Sequence, residues 1–98
     1  GFWIAGGRRA RLVIARSGAP LTLFVRNAPV ENVVTIDVDG AHQELTLAAG
    51  EERELPMPAA GGNTHSLVRV TSARGFRPSQ VEAGSKDLRY LGCWLELR

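Results

Sequence analysis

Apolar residues recur with a period of two along most of the chain. Leu21, Leu23 and Val25 alternate with Thr22, Phe24 and Arg26; Val34, Ile36 and Val38 alternate with Thr35, Asp37 and Asp39; Leu45 and Leu47 flank Thr46. Successive side chains of a β-strand point to opposite faces, so each run offers one apolar face to a core and one polar face to water. The same pattern predicts strands over residues 11–15, 52–57, 65–71 and 93–97, with 2–5 as a weaker first strand, about eight in all.

Turn-forming residues separate these runs at short spacing: Gly6-Gly7, Ser17 to Pro20, Asn27-Ala28-Pro29, Asp39-Gly40, Ala49-Gly50 and Gly61-Gly62-Asn63. Asp39-Gly40 is the sharpest. A type I′ turn needs positive φ at both central residues, which Asp followed by Gly supplies, so the strand ending at Val38 is predicted to fold back onto one starting at Ala41. No segment carries helical periodicity over three turns; a single turn is expected around residues 79–83. Many short strands with almost no helix predict an all-β fold, a two-sheet antiparallel β-sandwich in which each sheet covers the other's apolar face.

Between Thr71 and Leu91 the alternation stops for about twenty residues. A connection that long in a compact fold is either functional or pinned by specific contacts.

The chain has 98 residues, 44% apolar and 22% charged, which suits one domain over 1–98 and indicates neither disorder nor a membrane span. It opens on Gly-Phe-Trp rather than methionine, so it reads as a piece of a longer protein; no signal peptide is expected in it. Its apolar runs fall well short of the ~20 residues that cross a bilayer. Net charge is +2, and all the basic residues but Lys86 are arginines scattered from Arg8 to Arg98. Arg8, Arg9 and Arg11 form the only close group. On a strand Arg9 and Arg11 share one face, the pattern of a solvated surface, and no nucleic-acid partner is expected. Cys93 stands alone within an apolar run, where a small buried thiol is the expectation.

Candidate chemistry is sparse. His42 and His65 have no partners at metal-ligand spacing, and no serine sits in a nucleophile-elbow motif, so neither a zinc site nor a hydrolytic triad is expected. Asp37 and Asp39 are predicted on one strand face with Glu44 across the hairpin, an incomplete oxygen set for a hard cation and more simply a solvated surface. No metal or cofactor is expected, and no enzymatic activity. The aromatic residues are Phe2, Trp3, Phe24, Phe76, Tyr90 and Trp94. Alternation turns Trp94 away from Cys93 and Leu95, and Phe24 away from Leu23 and Val25. Such rings either stack on the apolar faces of a sugar or pack under loops. Asp87 and Arg89 lie in the irregular connection. They act either as a ligand clamp or as a tie, with Asp87 accepting loop amides and Arg89 bridging carbonyls.

Residues Gly75-Phe76-Arg77-Pro78-Ser79-Gln80-Val81 followed by Ser85-Lys86-Asp87-Leu88-Arg89-Tyr90-Leu91-Gly92-Cys93 resemble a closing motif, F-x-P-x-x then S-x-D-x-R-x-L-G. That motif ends β-sandwich accessory modules of bacterial cell-envelope glycosyltransferase-type proteins. Phe2-Trp3-Ile4 and Leu45-Thr46-Leu47-Ala48-Ala49-Gly50-Glu51 look like strands of the same modules. Pro78, Asp87, Arg89 and Gly92 carry the match, which covers about a fifth of the chain. The resemblance implies a jelly-roll-like, noncatalytic module of a sugar-handling protein in the bacterial cell envelope, on the extracytoplasmic side. The resemblance itself does not extend to sugar binding; taken together with the aromatic residues it motivates the expectation of weak carbohydrate binding, with Trp3, Trp94, Tyr90, Arg89 and Asp87 as candidate ligand-binding residues. The alternative is a structural or protein-interaction module that positions a neighbouring catalytic or membrane domain.

Overall fold

A computed structural model describes residues 1–98, and its strands are β1 (Phe2–Ala5), β2 (Arg9–Ala15), β3 (Thr22–Asn27), β4 (Asn32–Val38), β5 (Ala41–Leu47), β6 (Glu52–Pro56), β7 (His65–Ser72) and β8 (Leu91–Leu97). One four-residue helix, α1 (Pro78–Val81), lies in the connection between β7 and β8. Two four-stranded antiparallel sheets pack face to face, in the orders β1-β8-β3-β6 and β2-β7-β4-β5. The expected sandwich is present. No helix is long and apolar enough to cross a membrane.

The pairings have a simple origin. β4 pairs with β5, β3 with β6, β2 with β7 and β1 with β8, so the whole chain is one long hairpin. Its tip is the Asp39-Gly40 turn, with φ of 50° and 88° at its two central residues, the positive values a type I′ turn requires. Rolling this ribbon so that β3 also pairs with β8, and β4 with β7, closes two sheets and produces jelly-roll topology. The roll puts the first and last strands side by side in one sheet.

Alternation decides what lies between the sheets. Leu23 and Val25 of β3, Val34, Ile36 and Val38 of β4, Leu45 and Leu47 of β5, Val68 and Val70 of β7, and Cys93 and Leu95 of β8 form one cluster with Ile4 and Ile14. Each such aliphatic side chain, once fully buried, contributes roughly 1.5 to 3 kcal/mol relative to exposure. Burial pushes the Cys93 thiol up to about 12, leaving it an inert packing group. Several strands run further than the pattern predicts. β2 gains Arg9 and Ala10, and β8 gains Leu91 and Gly92, because a paired neighbour extends a ladder beyond the alternating run, while β5 begins at Ala41 as predicted.

Both ends of the sandwich interior carry polar side chains. At the end nearer the connection Asn27, Asn32 and Ser72 are all buried. Asn27 Nδ2 donates to the carbonyls of Val30 (2.7 Å) and Ala48 (2.8 Å). Asn32 Nδ2 donates to Asn27 Oδ1 (3.1 Å) and Ser72 Oγ (2.7 Å), while its Oδ1 accepts from the Arg74 amide (2.9 Å). Ser72 Oγ donates onward to the Arg74 carbonyl at 2.7 Å. Asn27 belongs to one sheet and Asn32 and Ser72 to the other, so this plug joins the sheets and holds the first residues of the connection.

Candidate functional site

The connection is pinned at intervals. The Ala73 amide donates to the Val33 carbonyl, Phe76 and Leu91 exchange a pair of 2.8 Å bonds, and the Ser79 amide reaches the Asp87 carbonyl at 2.9 Å. Pro78 opens α1 and is buried; at that position its missing N–H has no helical partner to lose. Phe76 and Leu91 are buried together with Ala28, forming a small second core against which Trp3 and Val30 pack. Gly92 lies so close to the Ser72 side chain that no Cβ fits between them. Two of the motif residues, Pro78 and Gly92, thus have direct architectural reasons.

Asp87 and Arg89 face each other. The guanidinium forks onto the carboxylate, Nε at 3.0 Å from Oδ1 and Nη2 at 2.7 Å from Oδ2, and the Arg89 amide donates to the same Oδ1 at 3.0 Å. The Arg89 side-chain and backbone donors hold the Asp87 carboxyl down to about 2. Asp87 therefore accepts a loop amide as expected, but Arg89 bridges no carbonyl. Arg77 does that, through its Nη1 bond to the Leu88 carbonyl. A depressed carboxylate adds stability above its unfolded value near 3.8 and loses it as pH falls through the folded value. Asp87→Asn should therefore lower the thermal midpoint at pH 6, with the gap to the parent closing between pH 4 and 2. A gap that stays constant down to pH 2 would contradict the pairing.

The pairing of β1 with β8 brings the tryptophans together. Trp3 lies directly across from Trp94, both half-buried on the outer face of their sheet, with ring centres 5.6 Å apart at an interplanar angle of 70°. Phe76 also meets Trp3 edge-on, centroids 5.7 Å apart. The Trp94 Nε1–H donates to Glu96 Oε1 at 2.7 Å, and this bond is the main cause holding the Glu96 carboxyl below its usual range. Arg26, the next residue in the same row on β3, sets its guanidinium 5.9 and 5.7 Å from the two indole centroids.

Around these rings lies an open groove of about 840 Å³. Its floor is Phe2, Trp3, Trp94 and Leu91, and its rim carries Tyr90, Arg8, Arg77 and Arg89. Tyr90 rests against Gly6, whose amide bonds the Tyr90 carbonyl at 3.0 Å, and carries the Arg77 guanidinium 5.2 Å from its ring centre. Of the candidate residues, Trp3, Trp94, Tyr90 and Arg89 line this groove. Asp87 does not, and it acts on the groove only by holding Arg89. Sequence reasoning missed Arg8, Arg26 and Arg77, whose separations along the chain give no hint that the β1–β8 pairing and the connection gather them.

Elsewhere the candidates are engaged or dispersed. Phe24 points outward as alternation predicts yet is buried, because Arg98 lies 3.8 Å over its ring. Asp39 is in the turn rather than on the strand, its Oδ1 accepting the Leu67 amide at 2.8 Å, while Asp37 lies 2.8 Å from His42 Nδ1. Glu44 stands opposite Thr35, and no three metal-ligating side chains are grouped anywhere. Ser66 is buried and accepts from Arg16 at 2.7 Å, whereas the His65 ring contacts Thr64.

No family model, curated protein or solved structure matches the chain.

Proposed function

We propose that the chain is a noncatalytic accessory module of a bacterial cell-envelope, sugar-handling protein, acting outside the cytoplasm, and that it binds saccharide weakly in the β1–β8 groove. The observation that carries this reading is the pairing of Trp3 with Trp94 on one outer face, beside an exposed Tyr90. Sheets ordinarily present polar residues to water, and two indoles with a tyrosine around a concave surface provide apolar platforms for the C–H faces of pyranose rings. The groove's volume lies within the range of small-molecule sites. The motif resemblance over residues 75–93 supports the sugar-handling context.

Titration with envelope-type oligosaccharides, followed by tryptophan emission, is expected to give a saturable shift. Tyr90→Ala should weaken it about tenfold, the loss of one stacking contact. No emission change with any saccharide tested would overturn the proposal.

A specific surface favours the second reading, a module that positions a neighbouring domain. Phe2, Val13 and Leu97, exposed by 42%, 71% and 48%, surround an apolar depression of about 560 Å³ where β2 and the end of β8 meet. Amide hydrogen exchange would then be slower at Val13 and Leu97 in the parent protein than in the isolated module. Equal exchange in both would contradict it.

A further inference from the structure

Taking the groove as a saccharide site, we infer that its ligand is acidic, a saccharide whose carboxylate or phosphate is gripped by the arginines of the rim. The inference rests on that reading and adds the ligand's charge. Three guanidiniums line the groove, those of Arg8, Arg77 and Arg89, and no carboxylate does. The nearest carboxylates are already spent: Asp87 is forked by Arg89, and Glu96 accepts from Trp94 and Arg98. The groove lining therefore carries uncompensated positive charge at Arg8 and Arg77, which favours an incoming anion.

The arginines also retain donors. Arg89 uses Nε and Nη2 on Asp87 and leaves Nη1 free. Arg77 spends Nη1 on the Leu88 carbonyl and keeps the rest, and Arg8 is exposed and forms no ion pair. A guanidinium fork matches the two oxygens of a carboxylate or phosphate group. Trp3 and Trp94 line the same groove as these forks, and Arg77 lies 5.2 Å from the Tyr90 ring centre, so a ring face and its anionic substituent would be held together. The arrangement is local: Arg9 and Arg11 project from the outer face of the other sheet, and no basic stripe continues from the groove of the kind that tracks a polynucleotide.

The probes are trigalacturonate, its fully methyl-esterified form, and glucose 6-phosphate, each titrated against the whole chain with tryptophan emission as readout. Trigalacturonate should bind about tenfold more tightly than the ester, and should weaken as salt rises from 50 to 200 mM. Glucose 6-phosphate binding above that of glucose would add phosphate to carboxylate as an accepted anion. Arg8→Ala should erase most of the difference between acid and ester, whereas Arg11→Ala should leave it intact. Equal binding of acid and ester would overturn the charge inference and leave the saccharide reading standing. Absence of binding by all probes would count against both. Equal losses in Arg8→Ala and Arg11→Ala would overturn the inference by showing diffuse attraction.

Discussion

Asn32→Leu is expected to remove about 3 kcal/mol of stability in urea denaturation, with an unchanged slope. Leucine matches asparagine in shape but makes none of its hydrogen bonds. The Arg74 amide would lose its acceptor, and Asn27 Oδ1 and Ser72 Oγ would lose a donor, all in a site where Asn32 is only 3% exposed. Each buried polar group left without a partner costs about 1 to 3 kcal/mol, and the leucine excludes the water that could replace them. Stabilities of domains this size are ~5 to 15 kcal/mol, so one residue would account for a large share. Ser72→Ala, which removes the bonds to Asn32 Nδ2 and to the Arg74 carbonyl but leaves the other Asn32 contacts in place, should cost about half as much. A loss below 1 kcal/mol for Asn32→Leu would mean that the plug does not join the sheets.

Gly75→Ala carries the second large effect, about 2 to 3 kcal/mol, for a different reason. A Cβ at this position runs into the Leu91 carbonyl, which is backbone and already bonded to the Phe76 amide. Accommodation requires the Phe76–Leu91 bridge to open, and such overpacking costs about 1 to 3 kcal/mol or more. The bridge holds Phe76 under Trp3 and Leu91 in the groove floor, so tryptophan emission of the folded variant should change as well. Gly84→Ala is the control. Gly84 lies in the same connection with φ of 79° and open space around it, and should cost only about 1 kcal/mol, with emission unchanged. If the two substitutions cost the same, the close approach at Gly75 is not what fixes the connection.

The strands were legible because one face of each is buried. Val34, Ile36 and Val38 alternate in sequence because they alternate in space, and Asp39-Gly40 announces a turn that no other dipeptide in the chain makes so cheaply. The motif over residues 75–93 also pointed to the connection, where Pro78 and Gly92 turn out to fit tight packing. The jelly-roll order could not be read from alternation, since it depends on β3 meeting β8 and β4 meeting β7, contacts between residues far apart in the chain. The plug was hidden for a chemical reason. Asn27 precedes Ala28-Pro29 and reads as a turn residue, yet its side chain points inward and satisfies two carbonyls. Trp3, Trp94, Tyr90 and Arg89 were named together as candidates, but without the register that sets Trp3 across from Trp94. Arg8, Arg26 and Arg77 were not singled out as candidates, because a basic residue's role depends on which groups the fold places around it, and sequence does not show that.

The central claim is that the Trp3–Trp94 face is where ligand sits. The chain has only two tryptophans, so its nitrogen–proton correlation spectrum holds two indole N–H signals, one of them tied to Glu96. During titration with an acidic oligosaccharide, both indole signals and the backbone amides of Gly6, Tyr90 and Leu91 should move together and saturate at one dissociation constant. The amides of Asp39 and Gly40, at the far tip of the hairpin, should stay in place. Indole signals that remain fixed while the ligand binds, or shifts spread evenly over both sheets, would contradict the account.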